Sequence, residues 1–119
     1  MSSLMNYLPQ GNKMKKLNNL KLDHIAINVK SIRESADWYT EFLGAQVDYI
    51  DETWAMLDVD GTKIALTVSA QHPPHFAFCV ENLSDLGPDY REHRDGSCYV
   101  YKTDPDGNAI ELIYWRKNG

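Results

Sequence analysis

The sequence predicts an α+β fold made of two related halves. Three observations carry this. Leu20 to Ser69 reads as strand, helix, strand, strand, strand. His75 to about Arg116 reads as a shortened echo of that order, with its second strand small or missing. Each half also opens on a strand with a histidine and small residues on one face and bulky apolar residues on the other. An internal duplication outweighs any single element in deciding a fold. At 119 residues, with 43% hydrophobic and 24% charged content, the chain suits one compact domain. We place that domain over residues 20–116, with modules at about 20–70 and 75–116.

Residues 1–19 are polar, with Pro9, Gly11, three lysines and several asparagines, and read as a flexible N-terminal tail. Met14 is an alternative start. No apolar h-region follows the lysines, so the segment does not read as a secretory signal. No apolar run approaches a membrane span. The net charge of -5 speaks against nucleic acid or an anionic membrane as the main partner. Cys79 and Cys98 fall inside predicted strands and read as two reduced, buried thiols of a cytoplasmic protein.

The first strand is Leu20 to Val29. Alternation puts Leu22, His24, Ala26 and Asn28 on one face and Ile25, Ile27 and Val29 on the other. The branched face needs a helix to cover it. The mixed face of His24 and Asn28 suits a pocket better than a packed core. Taken alone, His24 also reads as a satisfied histidine on a half-exposed strand.

Ser31-Ile32-Arg33-Glu34 is a capping box that starts the helix. Ile32, Ala36, Tyr39 and Leu43 recur at helical spacing with Phe42 beside them, a core stripe. Gly44 ends the helix. Strands follow at Ala45 to Asp51, Thr53 to Asp58 and Thr62 to Ser69, the last two joined by the Asp60-Gly61 hairpin turn.

Gln71-His72-Pro73-Pro74 is a stiff joint, because neither proline can donate to a ladder. His75 to Val80 is a strand with His75, Ala77 and Cys79 on one face. Asn82 to His93 holds a short helix interrupted at Gly87-Pro88. Ser97 to Thr103 is a strand carrying Tyr99 and Tyr101 on one face. Asp104-Pro105-Asp106-Gly107 is a tight turn: Asp104 can bond its own backbone, Pro105 presets φ and Gly107 tolerates positive φ. The final strand, Ala109 to Trp115, places Glu111 mid-strand, where an acid needs a partner.

His24, His75 and Glu111 each sit on the less apolar face of a predicted strand. Two imidazoles and a carboxylate are a metal set that leaves coordination positions open. It suits one divalent transition metal, Fe(II), Mn(II), Ni(II), Co(II) or Zn(II). Open positions let substrate oxygens bind the ion, which then acts as a Lewis acid. His72 and His93 fall in loops and read as solvent-exposed.

At His24 to Gly44, at His75-Phe76-Ala77-Phe78, and above all from Tyr101 to Leu112 (YKTDPDGNAIEL), the sequence resembles the vicinal oxygen chelate superfamily. That group includes glyoxalase I, fosfomycin-modifying thiol transferases, methylmalonyl-CoA epimerase, extradiol dioxygenases and bleomycin-sequestering proteins. The resemblance spans roughly Leu20 to Trp115. It implies paired βαβββ modules forming a curved mixed sheet around a cleft, often completed across a homodimer. It puts His24, His75 and Glu111 on metal-ligand positions. It puts Tyr101 where the fosfomycin enzymes place a substrate-contacting tyrosine, a catalytic and substrate-binding assignment. Asn28 and Trp54 are assigned to substrate binding as well.

The departures narrow the reading. Ala65 falls where glyoxalase I and the epimerases carry a fourth ligand, which counts against their chemistry. The three-ligand set is closer to the thiol transferases and dioxygenases. A cation loop of the fosfomycin type has only Gly96-Ser97 as an echo. The expected function is a metal-dependent lyase, thiol transferase or dioxygenase acting on a small oxygen-chelating substrate. The alternative is a metal-free sequestering protein with Trp38, Trp54, Tyr99, Tyr101 and Trp115 lining an aromatic groove.

Overall fold

The computed structural model describes residues 16–70 and 72–116. The first half contains β1 (Lys21–Asn28), α1 (Ile32–Leu43), β2 (Gln46–Ile50), β3 (Trp54–Val59) and β4 (Thr62–Thr67). The second contains β5 (His75–Cys79), a 3-10 turn (Leu83–Leu86), β6 (Arg91–Glu92), β7 (Cys98–Thr103) and β8 (Ala109–Tyr114). The predicted elements are therefore present, and β6 is the small second strand of the echo. The predicted tail falls mostly on residues 1–15, outside the described residues. Leu17, at its end, packs against the core of the second half, which corrects that part of the tail assignment.

All eight strands join one mixed sheet in the order β2-β3-β4-β1-β5-β8-β7-β6. From the centre outward, each half runs first strand, last strand, third strand, second strand. β1 pairs with β4 in parallel, β5 with β8 in parallel, and β1 with β5 antiparallel. The halves are thus related by a pseudo-twofold between β1 and β5. His24 lies opposite Ala77 and His75 opposite Ala26, so the two histidines are equivalents. Ala26 faces Ala65 while Ala77 faces Glu111, so Ala65 holds the position equivalent to Glu111.

One sheet face carries the core. α1 starts where Ser31 Oγ accepts the Glu34 N–H at 3.3 Å and stops at Gly44, which adopts φ 68°. Its Ile32 and Ala36 pack on Ala55, Leu57 and Leu66. Leu57 and Leu66 are fully buried, each contributing about 1.5–3 kcal/mol relative to exposure. In the second half the 3-10 turn does the same work with less chain: Leu86 packs with Val80, Cys98 and Leu112. The helix stripe is shorter than predicted. Phe42 is 71% exposed and stacks on Trp38, because the two residues share the flank of the helix turned away from the Ile32 and Ala36 face.

The other face holds the histidines. One register irregularity there corrects the expected alternation. β1 has a bulge between Leu22 and His24, and Leu22 pairs with Phe78, which puts it on the face away from His24. The bulged residue, Asp23, joins His24 in the cleft.

Candidate metal centre

The pseudo-twofold brings the opening strands of both halves together, and β8 lies beside β5. This puts His24, His75 and Glu111 at one point on the open face. One ligand atom from each lies within 4.8 Å of the others. Glu111 Oε1 is 3.1 Å from His75 Nε2 and 3.8 Å from His24 Nε2. The carboxylate is only 2% exposed.

Each of the three side chains is held from behind. Asp23 Oδ1 lies 2.7 Å from His24 Nδ1, and the Pro73 carbonyl lies 2.7 Å from His75 Nδ1. Protons on both Nδ1 atoms leave both Nε2 atoms as lone-pair donors facing the same space. His93 Nε2 sits 2.7 Å from Glu111 Oε2, leaving Oε1 toward the histidines. His75 Nε2 is buried and makes no hydrogen bond, although Glu111 Oε1 is near it. A buried nitrogen of this kind is costly unless it is protonated against Glu111 or serves as a ligand. The donor set and this orphaned nitrogen fit a divalent transition metal with positions to spare.

The electrostatics keep Glu111 ionised at the centre of the site. Burial works to raise the Glu111 pKa, but the imidazoles of His75 and His93 outweigh it and hold the carboxyl at about 2. Burial likewise works to lower the His75 pKa, and Glu111 with the Pro73 carbonyl overcomes it, leaving the group above the usual imidazole value. Asp23 stays below the usual carboxylate range against its burial, because His24, Cys79 and Trp115 all donate to it.

Tyr101 pairs with Glu111 across β7 and β8, and its ring meets His75 edge-on at 5.2 Å. Its hydroxyl lies 3.4 Å from His72 Nδ1. Burial, then Glu111 and Tyr99, push its phenol well above the ordinary range, so it is a neutral donor and not a base. Trp54 lines the same cleft and stacks on Tyr49 at 4.7 Å. Asn28 is otherwise engaged: its amide donates to Thr67 Oγ1 and to the His72 carbonyl, tying down the loop before His75.

Two expectations need correction. His72 and His93 are half-buried and line the cleft, so all four histidines converge on it. His93 is held by Glu111 and by stacking on Tyr99 at 3.8 Å, with its backbone fixed by Ser97 and Gly96. The expected aromatic groove also shrinks. Trp54, Tyr101 and Trp115 face the cleft, Tyr99 backs His93, and Trp38 lies on the outer surface of α1. Asp23 and His93 had no local sequence signal: strand alternation hides the first, and the second is separated from Glu111 by an irregular loop. Both cysteines are free thiols, Cys98 buried as expected and Cys79 only partly so.

Comparison with known proteins places these features in context. Residues 21–112 match the family model described as Glyoxalase/Bleomycin resistance protein/Dioxygenase superfamily. A Bacillus subtilis (strain 168) protein described as a probable trivalent organoarsenical cleaving enzyme is 27% identical over 121 aligned positions, covering 83% of each chain. A hypothetical protein from Bacillus halodurans C-125 superposes with a TM-score of 0.68 at 18% identity, over 86% of this chain and 99% of its own. Methylmalonyl-CoA epimerase from Mycobacterium tuberculosis superposes with a TM-score of 0.61 at 20% identity, over 81% of this chain and 88% of its own.

Proposed function

The chain belongs to the Glyoxalase/Bleomycin resistance protein/Dioxygenase superfamily, and from that membership we propose that it is a divalent-metal-dependent enzyme acting on a small molecule that chelates through two oxygens. The observation that carries the reading is the convergence of one ligand-type atom each from His24, His75 and Glu111 within 4.8 Å of one another on the open face of the sheet. His24, His75 and Glu111 would hold Fe, Mn, Ni, Co or Zn. The bound ion supplies Lewis acidity to substrate oxygens.

The chain's own groups do the rest. Asp23 and Pro73 orient the two imidazoles, and His93 orients the carboxylate. Tyr101, kept protonated, donates a hydrogen bond or proton to a substrate oxygen beside Glu111. Trp54 supplies a wall for the substrate body. Ala65, at the place equivalent to Glu111, offers neither ligand nor base. That favours lyase, thiol-transfer or dioxygenase chemistry over an isomerisation needing a base on that side. The Bacillus subtilis relative adds trivalent organoarsenicals to the substrates worth screening.

A metal-free sequestering role is the second reading, favoured by the stacked Tyr49 and Trp54 in the cleft. We place the protein in the cytoplasm as a homodimer, with the exposed Trp38 and Phe42 as support for an interface. No described helix is long and apolar enough to cross a membrane.

Elemental analysis of protein purified without chelator or affinity-tag metal tests the proposal, beside His24→Ala and Glu111→Ala. One transition-metal ion per chain, lost in both variants, supports it. No metal in the wild type, and none after reconstitution, overturns it in favour of sequestration.

A further inference from the structure

The cleft is much larger than a pair of chelating oxygens requires. Its volume is about 1020 Å³, and the walls away from the metal ligands include Tyr49, Trp54, Met56 and Ile113. A substrate that fills it has an apolar, flat body beyond its chelating end. The charges lining the cleft say what else that body carries.

Four carboxylates line the cleft, and each is engaged. Asp23 accepts from His24, Cys79 and Trp115. Glu92 pairs with Arg116 at 3.0 Å. Asp95 accepts the backbone N–H and hydroxyl of Ser97 at 2.9 and 2.7 Å. Glu111 belongs to the metal centre. Asp51, next to Tyr49 and Trp54, is occupied by Tyr49, Thr53 and the Trp54 N–H.

Against these stands one guanidinium. Arg94 is the only lysine or arginine that lines the cleft among the described residues. It makes no ion pair there, although its chain neighbours Glu92 and Asp95 are both acids. Arg94 directly follows His93, so its Cα is about 3.8 Å from that of the residue holding Glu111. It belongs to the second half of the fold. Arg94 and Tyr49 of the first half nonetheless line the same cleft. Arg94 is exposed to the water of the cleft, at the rim it shares with Tyr49 and Trp54, and an arginine free of an ion pair there matches a planar carboxylate, which it grips through two parallel N–H bonds.

We infer that Arg94 forms an anion subsite beside the metal centre and that the substrate is a flat, largely apolar carboxylic acid whose carboxylate it binds. This rests on the proposed reading of the cleft as a substrate site, and it goes further by assigning the substrate's charge and the residue that selects it. Neutral analogues of the same shape fill the aromatic wall but leave Arg94 without a partner.

The test uses the full chain and two probe pairs, read by titration calorimetry. 3,4-Dihydroxybenzoate and 3,4-dihydroxybenzamide are titrated into Zn(II)-loaded protein. Benzoate and benzamide are titrated into metal-free protein. In the wild type the acid binds about tenfold more tightly than the amide in both pairs, as a charge-assisted bidentate contact would give. Arg94→Ala removes that preference while leaving amide affinity and Zn(II) stoichiometry unchanged. Arg94→Lys keeps part of it. Equal affinities in the wild type, an acid preference that survives Arg94→Ala, or no binding of either acid overturns the inference. Failure of the metal reading looks different: Zn(II) does not load, yet the benzoate and benzamide pair still reports on Arg94.

Discussion

Asp23 and His24 are consecutive residues of one strand, yet their side chains meet at 2.7 Å inside the same cleft. A regular strand would send them to opposite faces. The bulge at Asp23 turns both the same way, and the carboxylate fixes His24 with Nε2 toward the other ligands. Removing such a support costs about 10–100-fold in metal affinity. Asp23→Ala is therefore expected to weaken metal binding by that range without changing stoichiometry. Asp23→Asn, which keeps an acceptor but loses the charge, falls between. Competition against a calibrated chelator measures both. Unchanged affinity in Asp23→Ala would show that the contact does not orient the ligand.

His93 supports Glu111 in the same way, through Oε2 at 2.7 Å. His93→Ala releases that oxygen, and the carboxylate is then free to rotate toward the ion. The expected result is an altered visible spectrum of the Co(II)-loaded protein together with a loss of affinity of about tenfold or more. His93→Gln keeps a donor and restores most of the wild-type spectrum. A spectrum identical in wild type and His93→Ala would exclude His93 from the support of the site.

How much of this was legible in the sequence follows from what each feature depends on. The strand order and the duplication were readable because periodicity and turn chemistry are local: Asp60 and Gly61 both adopt positive φ in the predicted hairpin turn, and Gly44 ends α1 as expected. The convergence of His24, His75 and Glu111 was readable because His24, Ala26 and Asn28 keep their alternation after the bulge and the other two sit on regular strands. Asp23 was not, since a bulge breaks the alternation by which faces are assigned. His93 was not, since its place depends on the loop between β6 and β7 folding back over β8. Phe42 was placed beside the core stripe, but it lies on the helix flank with Trp38, which the sheet does not cover.

Acid separates the metal-bound and metal-free forms through different groups. His75 titrates above the usual 6.5, so its proton competes with the ion around neutral pH. In the metal-free protein a raised pKa contributes stability that is present below 6.5 and is lost as pH rises through the folded value. In the metal-bound protein the same proton must leave. Metal affinity is thus expected to fall between pH 7.5 and 5.5, by at most about tenfold per unit for the His75 proton. Glu111 takes no part in that window. Its carboxyl, at about 2 instead of 4.5, contributes stability that is lost only as pH falls below 4.5 toward about 2. Metal titrations at several pH values, with thermal melts of both forms, check the two windows. Affinity constant from pH 7.5 to 5.5 would contradict histidine ligation.

Cys79 reports on Asp23 from the opposite side. Its thiol donates to Asp23 Oδ2 at 3.2 Å. Burial first, then this hydrogen bond and the Asp23 charge, push the thiol up to about 11 from 9.0. The thiolate is the reactive form, so alkylation by iodoacetamide should be slow at pH 8 and should accelerate as pH rises toward 11. Asp23→Asn removes the negative charge beside the sulfur, so the pKa falls and labelling at pH 8 becomes faster. Cys98, fully buried in the apolar cluster of the second half, stays unlabelled in both proteins while they remain folded. Mass spectrometry of the labelled peptides separates the two cysteines. Faster labelling of Cys79 alone indicates an electrostatic effect of Asp23, whereas parallel gains at Cys79 and Cys98 would mean that the variant has opened the fold.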